Sequence, residues 1–277
     1  MKPFIKWAGG KQKFASKIVD VLGRRCNKYF EPFVGSGAVL LQMQPPKAFC
    51  SDVNAELINL YRVVKKHPME LIEEINNNFI PNHNEQFFYE IRGWDRQIDY
   101  CTRYKSIQRA ARFLYLNKTC YNGIWRVNKQ GQNNVPFGKN EHPAILPKDA
   151  IMAAHNYFVR CDVDFSVADF KDSVEMAAQG DIVYFDPPYD KDEGQSSFVE
   201  YNQTVFGRED QVALKELCDQ LVEKGVTVGV SNSGTSFIKD LYKGYKVVCF
   251  DVNRTIGGTQ KSRHKYSEVF IYKRGRR

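Results

Sequence analysis

No run of residues in this chain approaches the ~18 consecutive apolar positions that a membrane-spanning helix needs. The first ten residues also lack the basic-then-apolar pattern of a secretory leader. Both absences point to a cytoplasmic protein with no membrane partner. Cysteine is present seven times (Cys26, Cys50, Cys101, Cys120, Cys161, Cys218, Cys249), but never as a C-x-x-C pair, and the five histidines show no ligand spacing. An odd, scattered set of cysteines implies reduced thiols, and it excludes a disulfide framework, a zinc site and the zinc-dependent deaminases. No metal is expected. There is no internal repeat and no low-complexity tract. Of the glycine fingerprint that binds dinucleotides only Gly35-x-Gly37 is present, and its third glycine would fall at Leu40, which argues against NAD chemistry.

What the chain does have is a core and an uneven charge. At 277 residues and 43% hydrophobic content it suits one large domain, or a core domain with a sizeable insertion. The net charge of +8 is concentrated. From Cys101 to Arg160 ten Lys/Arg face only Glu141 and Asp149, and from Arg254 to Arg277 eight face only Glu268. Those segments carry +8 and +7, which leaves the rest of the chain at −7. An acidic body with two basic surfaces fits a polyanionic partner, of which nucleic acid is the commonest.

Alternating strand and helix patterns predict a mainly parallel sheet. The apolar run Ile182-Val183-Tyr184-Phe185 reads as a strand ending at Asp186-Pro187-Pro188-Tyr189. Ligands collect beyond the carboxyl ends of such strands. Two prolines remove two backbone donors and leave carbonyl acceptors, so a carboxylate, a carbonyl and an aromatic ring together suit an amino-bearing aromatic base. Upstream, Phe33-Val34-Gly35-Ser36-Gly37 reads as the first turn of a nucleotide-binding β-α unit. Asp52, at the end of the next strand, is placed either to bind the two hydroxyls of a ribose or to cap the helix that begins at Ala55.

Helices are expected at Phe14 to Leu22, Ala38 to Gln42, Ala55 to Lys66, Met69 to Ile75, Gln86 to Ile98, Ile107 to Leu116, Arg208 to Glu223 and Thr235 to Leu241. Further strands are expected at Tyr157 to Cys161, Val226 to Val230, Lys246 to Val252 and Glu268 to Tyr272. Residues Tyr121 to Asn128, a turn at Lys129 to Gln132, and Asn133 to Gly138 read as a polar β-hairpin inside the first basic region. Its Asn, Arg, Gln and aromatic side chains are those that base-edge readout and stacking require.

The order Lys6-Trp7-Ala8-Gly9-Gly10-Lys11, Glu31-Pro32-Phe33-Val34-Gly35-Ser36-Gly37, Asp52, the hairpin, and Asp186-Pro187-Pro188-Tyr189 resembles the Dam-type DNA adenine-N6 methyltransferases over nearly the whole chain. Also similar are Tyr115-Leu116-Asn117, Tyr121-Asn122-Gly123, Arg126, Asn134-Val135-Pro136-Phe137-Gly138 and the basic loop from Arg254-Thr255-Ile256. The chain departs from the family at Trp125 and Lys118.

The resemblance implies an α/β, Rossmann-like methyltransferase fold, mainly parallel with one antiparallel strand. A catalytic domain over 1–60 and 157–277 would be interrupted by a helical and hairpin target-recognition insertion at 61–156. The implied cofactor is S-adenosylmethionine, held by Trp7, Ala8, Gly9, Lys11, Phe33, Gly35, Gly37, Asp52, Asp169, Phe170 and Asp186. Catalysis would fall to Asp186, Pro187, Pro188 and Tyr189. Lys6, Tyr121, Asn122, Arg126 and Pro136 would contact double-stranded DNA, with the flipped adenine in GATC. Alternatives are another amino group (cytosine N4 or RNA adenine) or an inactive DNA-binding protein. The expected setting is a bacterial or phage-type, DNA-associated enzyme, solitary or paired with a restriction nuclease, and a monomer or weak dimer.

Overall fold

Strands β1 (Tyr29–Glu31), β2 (Ala48–Asp52), β3 (Val163–Val167), β4 (Ile182–Phe185), β5 (Thr227–Ser233), β6 (Lys246–Asp251) and β7 (Ser267–Lys273) form one seven-stranded sheet in the order β3-β2-β1-β4-β5-β7-β6. The computed structural model describes residues 1–140, 142–191, 206–251 and 267–275. Neighbouring strands from β3 to β5 are parallel, whereas β7 runs antiparallel to both β5 and β6. This is the expected mainly parallel sheet with one reversed strand.

The sequence explains the sandwiching of that sheet. Strands covered on both faces read as continuous apolar runs, and all four residues of β4 are buried. Ile182 and Tyr184 belong to one apolar core and Val183 and Phe185 to the other, as alternating side-chain direction requires. Strand order reverses between β1 and β4, which opens a crevice beyond their carboxyl ends.

On one face lie α1 (Ala15–Leu22), α2 (Ala38–Met43) and α3 (Ala55–Lys66), and on the other α9 (Arg208–Glu223) and α10 (Ser236–Leu241). Helix α3 begins where Asn54 Oδ1 accepts from the amides of Glu56 (3.1 Å) and Leu57 (3.0 Å), so Asn54 is the cap and Asp52 is left for other work. Between β2 and β3 the chain forms α4 (Pro68–Glu74), a π-helical turn over Ile75–Phe79, α5 (Glu85–Gly93), α6 (Tyr100–Arg103), α7 (Ser106–Thr119) and α8 (Lys148–Arg160).

Two expectations are corrected here. Tyr157 to Cys161 is no strand but the end of α8; the strand follows it, at Val163–Val167. Ile151, Ala154, Tyr157 and Phe158 are buried at helical spacing while Val159 is 57% exposed, a pattern that no strand alternation produces. The hairpin is also less regular than expected. Tyr121–Gly123 is a 3-10 turn, and the only bridges in this stretch, each isolated, are Cys120 to Phe137 and Val127 to Asn133. The two arms do run antiparallel, with Asn134 N donating to Arg126 O (3.1 Å) and Asn128 N to Gln132 O (2.8 Å).

Candidate active site and nucleic-acid face

Asp186 leaves the end of β4 and meets a cation. Lys11 Nζ lies 2.9 Å from Asp186 Oδ1 and 3.2 Å from Glu268 Oε1, and donates to the carbonyl of Gly9. The lysine side chain is only 4% exposed. Its ammonium also sits 4.8 Å from the centroid of the Tyr189 ring, whose hydroxyl donates to Glu268. Burial raises the Asp186 carboxyl above the usual range, Lys11 opposes that rise, and Glu268 adds to it. Glu31, at the end of adjacent β1, is pushed up to about 8, chiefly by burial, although Tyr29 Oη donates to it at 2.7 Å.

The segment after Asp186 is fixed from the far side. Gln211 Nε2 donates to Pro188 O (2.8 Å), Asn232 Nδ2 donates to Gln211 (3.0 Å), and the Asp190 amide donates to Asn232 Oδ1 (3.1 Å). Thr235 Oγ1 donates to Asp190 Oδ2 at 2.7 Å. None of Gln211, Asn232 or Glu268 was singled out from sequence. The available signal for Glu268 was an acid opening an otherwise apolar strand, Val269-Phe270-Ile271.

Across the crevice, Gly35 and Gly37 adopt φ of +45° and +64°, which L side chains rarely adopt. A Cβ at Gly35 would come within 2.7 Å of the Trp7 ring, and one at Gly37 within 2.9 Å of the Tyr61 hydroxyl. Asp52 Oδ2 accepts from the Gly35 amide (3.2 Å) and Oδ1 from the Asn54 amide (3.0 Å), so one carboxylate ties the glycine loop to the end of β2. Burial raises Asp52 to about 6 against these bonds. Beside the loop, Phe33 stacks on Phe170 (5.6 Å between centroids), and Phe206 meets both edge-on. Phe206 was not anticipated. Asp169 is exposed, and its carboxylate accepts from the Lys171 amide at 3.0 Å.

The structure thus brings together Trp7, Gly9, Lys11, Gly35, Asp52 and Asp186, and places Phe33 on Phe170. The donor set fits a nucleoside bearing a cationic group: a carboxylate for a diol, aromatic faces for a base, a glycine loop with no room for side chains, and an acidic cluster. Ala8 is exposed.

The polar segment forms a second face. Lys6 is locked to α7 by Asn117, whose Oδ1 accepts from Lys6 N (2.9 Å) and whose Nδ2 donates to Lys6 O (2.8 Å). A Cβ at Gly123 would lie 2.5 Å from Lys6 Cδ, so Lys6 rests on the 3-10 turn. Tyr121, Asn122 and Pro136 are exposed, with Asn122 at φ +58°. Arg126 Nε donates to Asn134 Oδ1 at 2.8 Å across the two arms. Lys118 is lowered to about 8 by burial and by Lys6 nearby. Trp125 turns inward: its ring stacks on Phe113 at 3.9 Å, and Phe113 lies 6.2 Å from Trp7.

The ten basic residues of this region are not all surface. Arg112 is 1% exposed and its guanidinium is held 2.7 Å from Asp95. Asp95 in turn accepts from the Asn133 amide (2.7 Å), while Arg96 donates to Asn133 O (2.7 Å) and Arg92 to Val135 O (2.8 Å). The basic loop from Arg254 lies outside the described residues, as do residues 192–205 beyond Tyr189. Among the described residues no group of acids, histidines and cysteines could hold a metal ion, and no helix is long and apolar enough to cross a membrane.

Comparison with known proteins adds to this geometry. A family model described as D12 class N6 adenine-specific DNA methyltransferase matches residues 7–256. The type II methyltransferase M1.LlaDCHI of Lactococcus lactis is 37% identical over 98% of this chain and 95% of its own. M.MjaIII of Methanocaldococcus jannaschii is 36% identical over 89% of this chain and 90% of its own. The DNA adenine methylase of Escherichia coli K12 is 32% identical over 99% of this chain and 96% of its own.

Proposed function

The chain belongs to the D12 class N6 adenine-specific DNA methyltransferases, and from that membership we propose which of its residues carry the reaction, with S-adenosylmethionine as the donor. It is an enzyme that transfers a methyl group to the N6 amine of adenine in DNA. The observation that carries the assignment of the site is Asp186: a half-buried carboxylate at the carboxyl end of β4, at the reversal of strand order and near the Gly35 loop.

The donor supplies a methyl group already activated on a cationic sulfur, which leaves alignment to the protein. Adenine N6 is a poor nucleophile because its lone pair is delocalised into the ring. Asp186 and the Pro187 carbonyl accept its two hydrogens and favour the more tetrahedral, electron-rich nitrogen. As the carbon–sulfur bond breaks and the nitrogen–carbon bond forms, N6 must shed a proton, and the raised affinity of Asp186 for a proton suits it to receive one. Tyr189 stacks on the base, which has to leave the duplex at a cost of about a few kcal/mol. Trp7, Ala8, Gly9, Lys11, Phe33, Gly35 and Gly37 cradle the donor, Asp52 takes its ribose, and Asp169 and Phe170 its adenine.

Residues 1–60 and 157–277 serve as the catalytic body and 61–156 as the recognition unit, with α3 and α8 straddling the two boundaries. Lys6, Tyr121, Asn122, Arg126 and Pro136 face the duplex, and GATC is the site the recognition segment's likeness to the Dam-type enzymes supports. The test is expression in cells that lack adenine methylation, followed by genome-wide mapping of modified bases. N6-methyladenine at GATC is the expected product. Methylation at another motif would overturn the site, and methylcytosine would overturn the assignment of the pocket.

A further inference from the structure

The ammonium of Lys11 already makes one of the two contacts that the reading above gives to the target amine, the one to Asp186. It lies 2.9 Å from Asp186 Oδ1 and over the ring of Tyr189, and its second carboxylate partner, Glu268, also receives the Tyr189 hydroxyl. Asp186 Oδ1 is buried, and Lys11 meets it as an ion pair that lies off hydrogen-bond alignment. An adenine amine and this ammonium cannot occupy the same place.

They also differ in charge. Lys11 balances two carboxylates that share one cation, and a neutral amine arriving in its stead would leave both uncompensated in a poorly hydrated site, at considerable cost. The exchange becomes favourable only when another positive charge stands beside the cluster. A sulfonium donor carries one, whereas its demethylated thioether product does not.

We propose that Lys11 is a displaceable stand-in for the target amine, which makes docking of the base conditional on a cationic occupant of the donor site. Lys11 is on this view a positioning residue, and the inference rests on the reading of Asp186 and Tyr189 as the base site. It gives the enzyme a means to keep an extruded base from settling against spent donor, because the ammonium returns to the carboxylates once the sulfonium charge is gone.

The test follows the thymine opposite the target adenine, whose oxidation by permanganate reports that its partner has left the stack. Wild-type protein and Lys11→Met are bound to a duplex carrying the mapped site, each with no cofactor, with S-adenosylhomocysteine (neutral), or with sinefungin (cationic and unreactive). Wild type is expected to expose the thymine about fivefold more with sinefungin than in the other two states, and Lys11→Met is expected to reach the high level in all three. A structural role alone would lower the melting temperature without abolishing the dependence on cofactor charge. Lys11→Gln, which keeps a donor for the Gly9 carbonyl, replaces Lys11→Met if circular dichroism shows that the latter is unfolded.

The proposal is overturned if wild type exposes the thymine equally with both cofactor analogues, or if the neutral variants keep the wild-type dependence. Either result leaves the base-site reading standing. Absence of exposure above that of a duplex lacking the site, in every protein and state, would sink base extrusion and this proposal together.

Discussion

At the end of β4 side chains are held by other side chains: Lys11 by Asp186 and Glu268, Tyr189 by Glu268, and the segment after Asp186 by Gln211 and Asn232. The segment over residues 120–138 is held differently. Its arms share two isolated bridges, and the backbone is gripped from outside by Arg92, Asp95 and Arg96 around the end of α5, with buried Arg112 behind Asp95. If the proposed roles hold, the contrast teaches that chemistry and recognition rest on different supports. A sheet fixes a carboxylate within a narrow geometry, whereas a polar loop cannot bury its own backbone and borrows partners from a neighbouring helix.

If that contrast holds, the two regions break separately. Asp186→Asn should lower methyl transfer by on the order of 10³-fold, roughly 4 kcal/mol, while duplex affinity stays within about threefold. Tritiated-methyl incorporation and mobility-shift titration would read the two, and parallel losses in both would erase the distinction.

The sheet region should also show a dependence on pH. Glu31 holds its proton up to about 8 in the folded protein, against an ordinary 4.5. Between those values the folded chain is protonated there and the unfolded chain is not, so stability falls as pH rises through that window. Glu31→Gln should remove that fall, of order ~4 kcal/mol, and thermal melts at pH 5 and pH 8 would differ less in the variant than in wild type.

On the other side, Arg112→Met leaves Asp95 without its buried cation, at a cost of about 3 kcal/mol. Amide exchange at Asn133 and Val135 should accelerate, and donor affinity measured by calorimetry should stay within about twofold; a weakened donor site would show that the regions are not separate. The smallest effect is expected from Arg126→Ala, which should relax discrimination at one base pair by ~1 to 3 kcal/mol. Unchanged rate ratios between the mapped site and its single-base variants would move recognition elsewhere on the segment.

Strand β4 was readable because a parallel strand buried on both faces leaves a continuous apolar signature, and the two prolines mark its end. Helices α3 and α9 fall at the expected bounds, although Asn54 and not Asp52 caps the first. The pairing of Lys11 with Glu268 was not readable, since no local pattern links residues so far apart in the chain. Tyr157-Phe158-Val159 misled because aromatic and β-branched residues favour strands until burial of Ile151 and Ala154 decides for a helix. Trp125, where the chain departs from the Dam-type pattern, lies beside Arg126 in the polar segment. Its ring stacks on Phe113, a packing choice that residue type alone does not reveal.

Asn117 is wholly buried, with its carbonyl oxygen on the Lys6 amide and its amino group on the Lys6 carbonyl. Because the two ends of a carboxamide are unlike, this is a polarised clip that accepts the N-terminal strand segment in one direction and one register only. An isosteric aspartate would set oxygen against oxygen at one of its two jaws, so a single atom of α7 decides how squarely Lys6 is presented to whatever lies above it.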